Sequence, residues 1–447
     1  MNKVFLTFIL FLLAGGITAQ ERKMWTLKAC IDHALKNNLQ LQKKRVSQQE
    51  SETDIKSAKA VLFPSLSASI TQGLNYRPFQ ESSGNFVNGG MTTSSSNKVT
   101  ESGSYGLNAS WTVWNGGKNT KNIALQKLNQ QISGLSTEES ANSIQEQIAK
   151  IYVQILYAEE AVKVNAELLK SDETIYQRGE EMLRQGQISK SDLTQLEAQV
   201  TSGQYDLVNS QTVIAGYKLQ LKQLLELNNT DEFDVEPVNI TDETALKSIP
   251  NKLEIYYAAL SKRPEIKSGE LSIEAAKVNQ KIAKASYMPT VSLTAGIGDN
   301  HMTGTNTNFL NQMKNNLSGT LGVTVSIPIF DNRQNKSNVE KATYQRLNSE
   351  LDLQEKQKTL FSSVETYWLD ATSNQQKYLA AKTNVKSCQS SYEQMNEQFK
   401  LGLKNIVELL ESRNKLLSAQ QEKLQSKYTT LLNMQLLSFY GGNSINL

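Results

Sequence analysis

Residues Gly319 to Asn335 read GTLGVTVSIPIFDNRQN, and the fold follows from how that stretch is read. Leu321, Val323, Val325, Ile327 and Ile329 occupy every second position, with Gly322, Thr324, Ser326 and Pro328 between them. Strict alternation is the mark of a strand with one apolar and one polar face. After Phe330-Asp331-Asn332 no proline occurs as far as Leu447, and the polar, Leu-spaced chain reads as long helix.

The same plan occurs earlier. Tyr105, Leu107, Ala109, Trp111 and Val113 alternate with Gly106, Asn108, Ser110 and Thr112, and Trp114-Asn115-Gly116-Gly117 follows. A shift of about 216 positions lays Trp111–Asn115 on Ile327–Asp331, Gly186 on Gly402 and Asp192-Leu193 on Glu408-Leu409; upstream, a shift of about 225 lays Ala34-Leu35 on Ala259-Leu260, Ala58–Ala60 on Ala283–Ala285 and Pro64 on Pro289. Two registers held over long spans indicate an internal duplication.

Two further strands complete the set. Leu66, Ala68 and Ile70 alternate with Ser65, Ser67, Ser69 and Thr71; Val291, Leu293, Ala295 and Ile297 alternate with small or polar residues. The expected strands are thus 64–75, 104–114, 289–299 and 318–330. Tyr76–Ser104 and Asp299–Ser318 read as exposed loops. Trp111 and Trp114, three apart, are expected on opposite strand faces. One of them is a candidate for an interfacial aromatic belt, the other reading being packing at the strand–helix junction.

The helices read as hairpins. Ile144, Ile148, Ile151, Ile155, Ala158 and Val162 follow coiled-coil spacing inside a proline-free run from Lys118 to Gln185. Such a helix would reach roughly 100 Å. Gly186-Gln187-Ile188 forms one hairpin tip and Gly402-Leu403-Lys404 the other, with glycine supplying the turn. Short helices are expected at 26–37, with Thr26 as N-cap, and at 252–262. Cys388 falls on a heptad row with Val385, Tyr392, Met395 and Phe399, a buried seam position; Cys30 has no equivalent partner, so no disulfide is expected.

The chain has 447 residues, a hydrophobic content of 38% and a formal charge of +3. It has no basic run with interleaved aromatics, so nucleic acid is not an expected partner. His33 and His301 lack ligand spacing, and no phosphate loop or nucleophile elbow occurs, so no metal, cofactor or enzyme activity is expected. Residues 1–19 read as a secretory signal peptide, with Lys3, an apolar run and small residues before the cut. Residues 20–227 are expected to form the first repeat, 228–250 an acidic linker or equatorial segment, 251–440 the second repeat and 441–447 a tail.

Four amphipathic strands cannot close a barrel, and an open sheet in lipid leaves edge groups unpaired at several kcal/mol each. Chains would have to associate. In combination, several segments are similar to the TolC-like outer membrane efflux protein family over essentially the whole mature length: TLKACIDHALKNN, SKRPEI, AKAVLFPSLSAS with AKASYMPTVSLT, WTVWNGGKN with IPIFDNRQN, and LRQGQISKSDL with FKLGLKNIVELLE. The pattern departs at Leu39, where members often carry proline, and at Asp331-Asn332-Arg333, where they often read Asp-Gly-Gly.

The resemblance implies a mainly α fold with a small β part. It implies a homotrimer with a twelve-stranded barrel in outer membrane lipid, and a helical tunnel in the periplasm of a Gram-negative-type cell. It implies a periplasmic adaptor contacting the hairpin tips, and an inner-membrane pump of RND or ABC type. Function would be a passive exit duct for small molecules; a type I protein secretion duct and a non-pore periplasmic adaptor are the alternatives. At the positions matching VELLE, the family carries acids that line the periplasmic entrance. Glu408 and Glu411 are therefore gate candidates, with Asp192 and Gln195 at the equivalent sites of the first repeat; a solvated helix face is the other reading.

Overall fold

The computed structural model describes residues 24–79, 84–87, 90–93, 98–228, 233–238, 241–304 and 307–446. The expected signal segment, 1–19, lies outside them. The chain divides into two compact units: 1–46, 135–267 and 354–447 in one, 47–134 and 268–353 in the other.

The duplication is visible in helix lengths. Helices α1 (Leu27–Asn37) and α6 (Lys252–Lys262) have 11 residues each. Helices α2 (Leu39–Ala60) and α7 (Pro264–Ala285) have 22 each. Helices α3 (Lys118–Arg184) and α9 (Gln334–Lys400) have 67 each, and α4 (Lys190–Leu224) and α10 (Ile406–Tyr440) have 35 each. The caps are local chemistry. Thr26 Oγ1 accepts from the Ala29 amide at 3.1 Å, and Asn251 accepts from Leu253 at 2.9 Å. At Leu39, where the family pattern has proline, the free amide donates to Glu226 Oε1 at 3.3 Å.

In the first unit, strand β1 (Met24–Trp25) pairs in parallel with β6 (Asp234–Val235). The Tyr152 hydroxyl lies 3.2 Å from the Trp25 carbonyl and 3.1 Å from that of Glu236, fastening this small sheet to α3. The acidic segment 228–250, expected as a linker or equatorial segment, contains regular structure. It carries β6 and the single-turn helix α5 (Asp242–Ala245), and Val235 and Ala245 are fully buried. The Asp242 carboxylate accepts from the Tyr378 hydroxyl and pairs with Lys382 at 2.7 Å; these hydrogen bonds pull its carboxyl down to about 2. The tail also docks: Ile445 is buried, and Lys262 donates to the Gly441 carbonyl at 3.0 Å.

The second unit is built on a four-stranded antiparallel sheet in the order β2-β5-β7-β8. The strands are β2 (Ser65–Tyr76), β5 (Val99–Trp114), β7 (Thr290–Met302) and β8 (Ser318–Ser326). A two-stranded ribbon of β3 (Gly84–Val87) and β4 (Gly90–Thr93) and a short helix α8 (Phe309–Asn316) lie between them in sequence. The two segments read as loops thus contain structure, and β5 and β7 run further into them than alternation suggested. Their Ser, Gly and Asn content masks the pattern.

The fourth strand stops at Ser326 rather than 330. Pro328 has no amide to donate, and ladder pairing ends two residues before it. The first copy has no such proline, and its strand runs on to Trp114.

Register decides which residues share a face, because directly paired residues point to the same side. Leu66 pairs with Ala109, Ala109 with Ala295 and Ala295 with Leu321, giving one apolar row across all four strands. Trp111–Leu293–Val323 and Trp114–Val291–Val325 are further rows. The opposite face is Ser, Thr, Asn and Gly, as in Ser110–Thr294–Gly322 and Thr112–Ser292–Thr324.

Trp111 and Trp114 lie on the same face, contrary to their spacing. The register slips between Thr112 and Trp114, so Val113 is an extra residue; their partners Leu293 and Val291 are two apart. A β-bulge of this kind restores Trp114 to the apolar side. Trp111 Nε1 donates to the Leu62 carbonyl at 2.8 Å.

Each repeat leaves the sheet by the same turn. Gly116 and Gly117 have φ of 68° and 73°; at the matching positions Asn332 and Arg333 have 51° and 68°. The helix beyond is capped alike, Asn115 accepting from Asn119 at 3.2 Å and Asp331 from Asn335 at 2.8 Å. The departure from Asp-Gly-Gly therefore leaves the turn unchanged and places two side-chain-bearing residues in the left-handed region. Each left-handed residue costs roughly 1–2 kcal/mol when it is not glycine, with Asn at the low end. Replacing Arg333→Gly should raise the resistance of the β8–α9 junction to local opening by about 1 kcal/mol, read as slower amide exchange at 331–337.

Candidate functional site

The residues singled out by sequence converge on the ends of the two long hairpins, all within the first unit. Gly186 and Gly402 have φ of 72° and 70°. Nothing lies within 4 Å of a Cβ built on either, so dihedral angle and not crowding asks for glycine here. Around each, the amide after the glycine returns to the carbonyl five residues back: Gln187 to Met182 at 2.8 Å and Leu403 to Gln398 at 2.9 Å. This is the Schellman closure of a helix end. Gln187 and Leu403 are exposed at the turns, whereas Ile188 turns inward.

Beyond each turn the chain re-enters helix through a capping box. Ser189 Oγ accepts from the Asp192 amide at 3.1 Å, and Asp192 Oδ2 accepts from the Ser189 amide at 3.0 Å. In the second repeat, Asn405 Oδ1 accepts from Glu408 at 2.9 Å and Glu408 Oε2 accepts from Asn405 at 3.3 Å. Two gate candidates, Asp192 and Glu408, are thus third-position capping acids. Glu408 also pairs with Lys404 at 2.5 Å; that contact, then the Asn405 amide, holds its carboxyl below the usual range. Glu411 pairs with Lys415 at 2.7 Å on an exposed surface. Gln195 and Glu411 line one shallow groove with Val407, Leu410 and Asn414. The structure therefore brings the other two candidates to a common surface.

The four helices are held together just behind the turns by an apolar cluster. It contains Leu168, Ile175 and Met182 of α3, Leu196 of α4, Tyr392 and Phe399 of α9, and Ile406, Leu409 and Leu416 of α10. Cys388 packs against it but is only half-buried, not a fully buried seam thiol.

One ion pair sits inside this cluster, and the sequence reading did not single it out. Arg413 Nη2 lies 2.8 Å from Asp172 Oδ2 and its Nε 3.3 Å from Oδ1. Side-chain exposures are 5% and 2%, so the pair is out of water. Gln199 reaches the same carboxylate at 3.5 Å. Burial pushes the Asp172 carboxyl up more than the Arg413 guanidinium beside it pulls it down. Alongside, the Tyr392 hydroxyl and Ser171 Oγ share a 2.9 Å hydrogen bond. The signal was available. Asp172 falls on the row Leu168, Asp172, Ile175, Met182, and Arg413 on the row Ile406, Leu409, Arg413, Leu416. A charge on a coiled-coil seam asks for a partner on a facing seam. The pair is not duplicated, since the equivalent positions hold Cys388 and Glu197.

Breaking a buried pair by removing one partner typically costs 3–5 kcal/mol, whereas replacing both by apolar groups of like volume is often neutral. Asp172→Asn should therefore speed amide exchange in 165–182 and 406–420 by about two to three orders of magnitude. Asp172→Leu combined with Arg413→Met should return it near the parental rate.

Among the described residues, no group of three or more His, Cys, Asp or Glu is gathered as a metal site, and no helix is long and apolar enough to cross a membrane. The profile described as "Outer membrane efflux protein" matches residues 30–226 and 255–443. The alkaline protease secretion protein AprF of Pseudomonas aeruginosa is 22% identical over 326 residues, which is 69% of this chain and 64% of AprF. This chain thus aligns with somewhat under two thirds of that relative's length. The cation efflux system protein CusC of Escherichia coli K12 is 24% identical over 431 residues, 93% of this chain and 86% of CusC. A crystal structure of CusC superposes with a TM-score of 0.77 at 20% identity, covering 93% of this chain and 92% of that one. The family match takes in both repeats, which sets aside the reading as a non-pore periplasmic adaptor. The chain belongs to the outer membrane efflux protein family and is a channel protein of the outer membrane.

Proposed function

We propose that three copies of this chain close a twelve-stranded barrel and form a passive exit duct for small molecules across the outer membrane. The observation that carries this is the sheet. Its register sorts every strand into an apolar and a hydroxyl-rich face, and among the described residues both edges, β2 and β8, have no neighbouring strand within the chain. Leu321 is 85% exposed and Ile70 77%, values that fit side chains facing lipid. Unpaired edge amides and carbonyls are too costly to leave in hydrocarbon. Pairing β8 of one copy with β2 of the next satisfies them, and three copies of four strands leave a lumen wide enough for water.

Hairpins of equal length in both repeats would form a periplasmic tunnel. Their exposed ends, at Gly186-Gln187 and Gly402-Leu403, would meet a periplasmic adaptor coupled to an RND or ABC pump. The work of transport then belongs to the pump. The similarity to AprF favours one second reading, a duct for a secreted protein, because a wide hydroxyl-lined lumen sets little limit on cargo.

Two adjacent residues of β8 test the barrel. Leu321→Arg puts a charge on the lipid face near mid-depth, at about 2–4 kcal/mol per copy, and should abolish stable trimers in membrane extracts. Thr320→Arg, on the lumen face, should leave trimers intact and shift ion selectivity toward anions. Equal tolerance of both would contradict the assignment of faces.

The lumen face of the four strands carries Ser, Thr, Asn and Gly but no ionisable side chain from Ser65 to Thr71, Ser104 to Thr112, Ser292 to Asn300 or Ser318 to Ser326. The barrel lumen then sets no charge preference of its own, and at the hairpin ends Glu408, Glu411 and Asp192 would repeat around the axis with Gln195 as an acidic ring. Glu408→Gln with Glu411→Gln removes charge, and glutamine can still serve in the capping box. In planar bilayers the double variant should lose cation preference and conduct more; unchanged currents would remove these residues from the gate.

A further inference from the structure

Helix α8, Phe309–Asn316, lies between β7 and β8 at the sheet end remote from the strand–helix turns. It is docked by three contacts along one side. The Phe309 ring meets His301 edge-on at 4.9 Å, Gln312 brackets the Met302 backbone at 2.8 and 2.9 Å, and Asn316 donates to the Asn300 carbonyl at 2.7 Å. His301 pairs with Gly103 two steps beyond the Leu107–Ile297 pair, so it belongs to the apolar face, and Phe309 sits on that side of the sheet.

At 100° per residue the remaining positions divide into two exposed faces. Leu310, Lys314 and Leu317 form one stripe, with Leu310 74% and Leu317 62% exposed. Asn311 and Asn315 form the other. Leu317 also precedes β8 in the same alternation as Leu321, Val323 and Val325, so the stripe continues the apolar face of the sheet.

Depth agrees. Ten residues separate Val291, level with Trp114, from His301, or about 33 Å of strand and roughly 25 Å of depth at a usual barrel tilt. Near that level polar groups enter the face among Leu74, Tyr76 and Val99: Gln72 bonds Glu101 at 2.7 Å, Asp299 pairs with Tyr105, and Tyr105 stacks on His301. The helix is therefore placed where hydrocarbon gives way to headgroups. Its apolar stripe has a lysine long enough to reach phosphate, and it carries no acid.

We propose that α8 is a lipid anchor, with Leu310 and Leu317 inserted at the acyl–headgroup boundary of an anionic outer leaflet and Lys314 on its phosphates. This rests on the reading of the sheet as a membrane wall. The test uses the full chain with Cys30→Ala and Cys388→Ala, reconstituted in phosphatidylethanolamine–phosphatidylglycerol vesicles. Single cysteines at 310, 317, 311, 315 and 321 carry spin labels, and collision with oxygen is compared with collision with a water-soluble nickel chelate.

Labels at 310 and 317 should favour oxygen over chelate, with the ratio reversed at 311 and 315. The label at 321 should favour oxygen most. If 321 is in lipid but 310 and 317 are as open to chelate as 311 and 315, the anchor is wrong and the wall stands. If 310 and 317 are shielded from both reagents, a second protein copy covers the stripe and the anchor is wrong. If 321 itself meets chelate freely, the membrane wall fails first.

Discussion

The unsatisfied edges of one four-stranded sheet constrain everything else in this molecule. A backbone amide or carbonyl in hydrocarbon has no water to turn to. Four strands cannot curl into a closed wall, and among the described residues β2 and β8 end the ladder on either side. Its faces are already committed over the half nearest the helices, where the rows Leu66–Ala109–Ala295–Leu321, Trp111–Leu293–Val323 and Trp114–Val291–Val325 are apolar and Ser110–Thr294–Gly322 and Thr112–Ser292–Thr324 are not. In the proposed barrel, association edge to edge would satisfy backbone and faces together, with equivalent strands from the two repeats on each side.

Keeping the faces uniform requires local corrections. The extra residue at Val113 turns Trp114 back to the apolar side just before the chain leaves the sheet. Pro328 ends the other exit strand early. Both exits then use the same two-residue left-handed turn, once with glycines and once with Asn332-Arg333. Backbone geometry has been retained across the two repeats while the residues that favour it have diverged.

At the hairpin ends, acidic residues have three different employments. Asp192 and Glu408 close capping boxes, Glu411 faces solvent beside Lys415, and Asp172 is buried against Arg413. The buried pair contributes position more than energy, because desolvation of both charges offsets most of their attraction. It ties α3 to α10 at one register inside a cluster that is otherwise mainly apolar, and it occurs once although the helices occur twice.

Alternation, proline placement and the two offsets determined the order of the long helices and the four main strands, the matched repeats and the hairpin turns, because each depends on neighbours along the chain. The cap at Thr26 and the helix from Lys252 to Lys262 were legible for the same reason. What only the tertiary structure decided involves residues far apart in sequence. The bulge that puts Trp111 and Trp114 on one face appears only when β5 is laid on β7. The docking of segment 228–250 against Tyr152 and Tyr378 needed the folded backbone. Asp172 and Arg413, 241 residues apart, meet because two coiled-coil seams face each other, and spacing along either helix does not say which seam faces which.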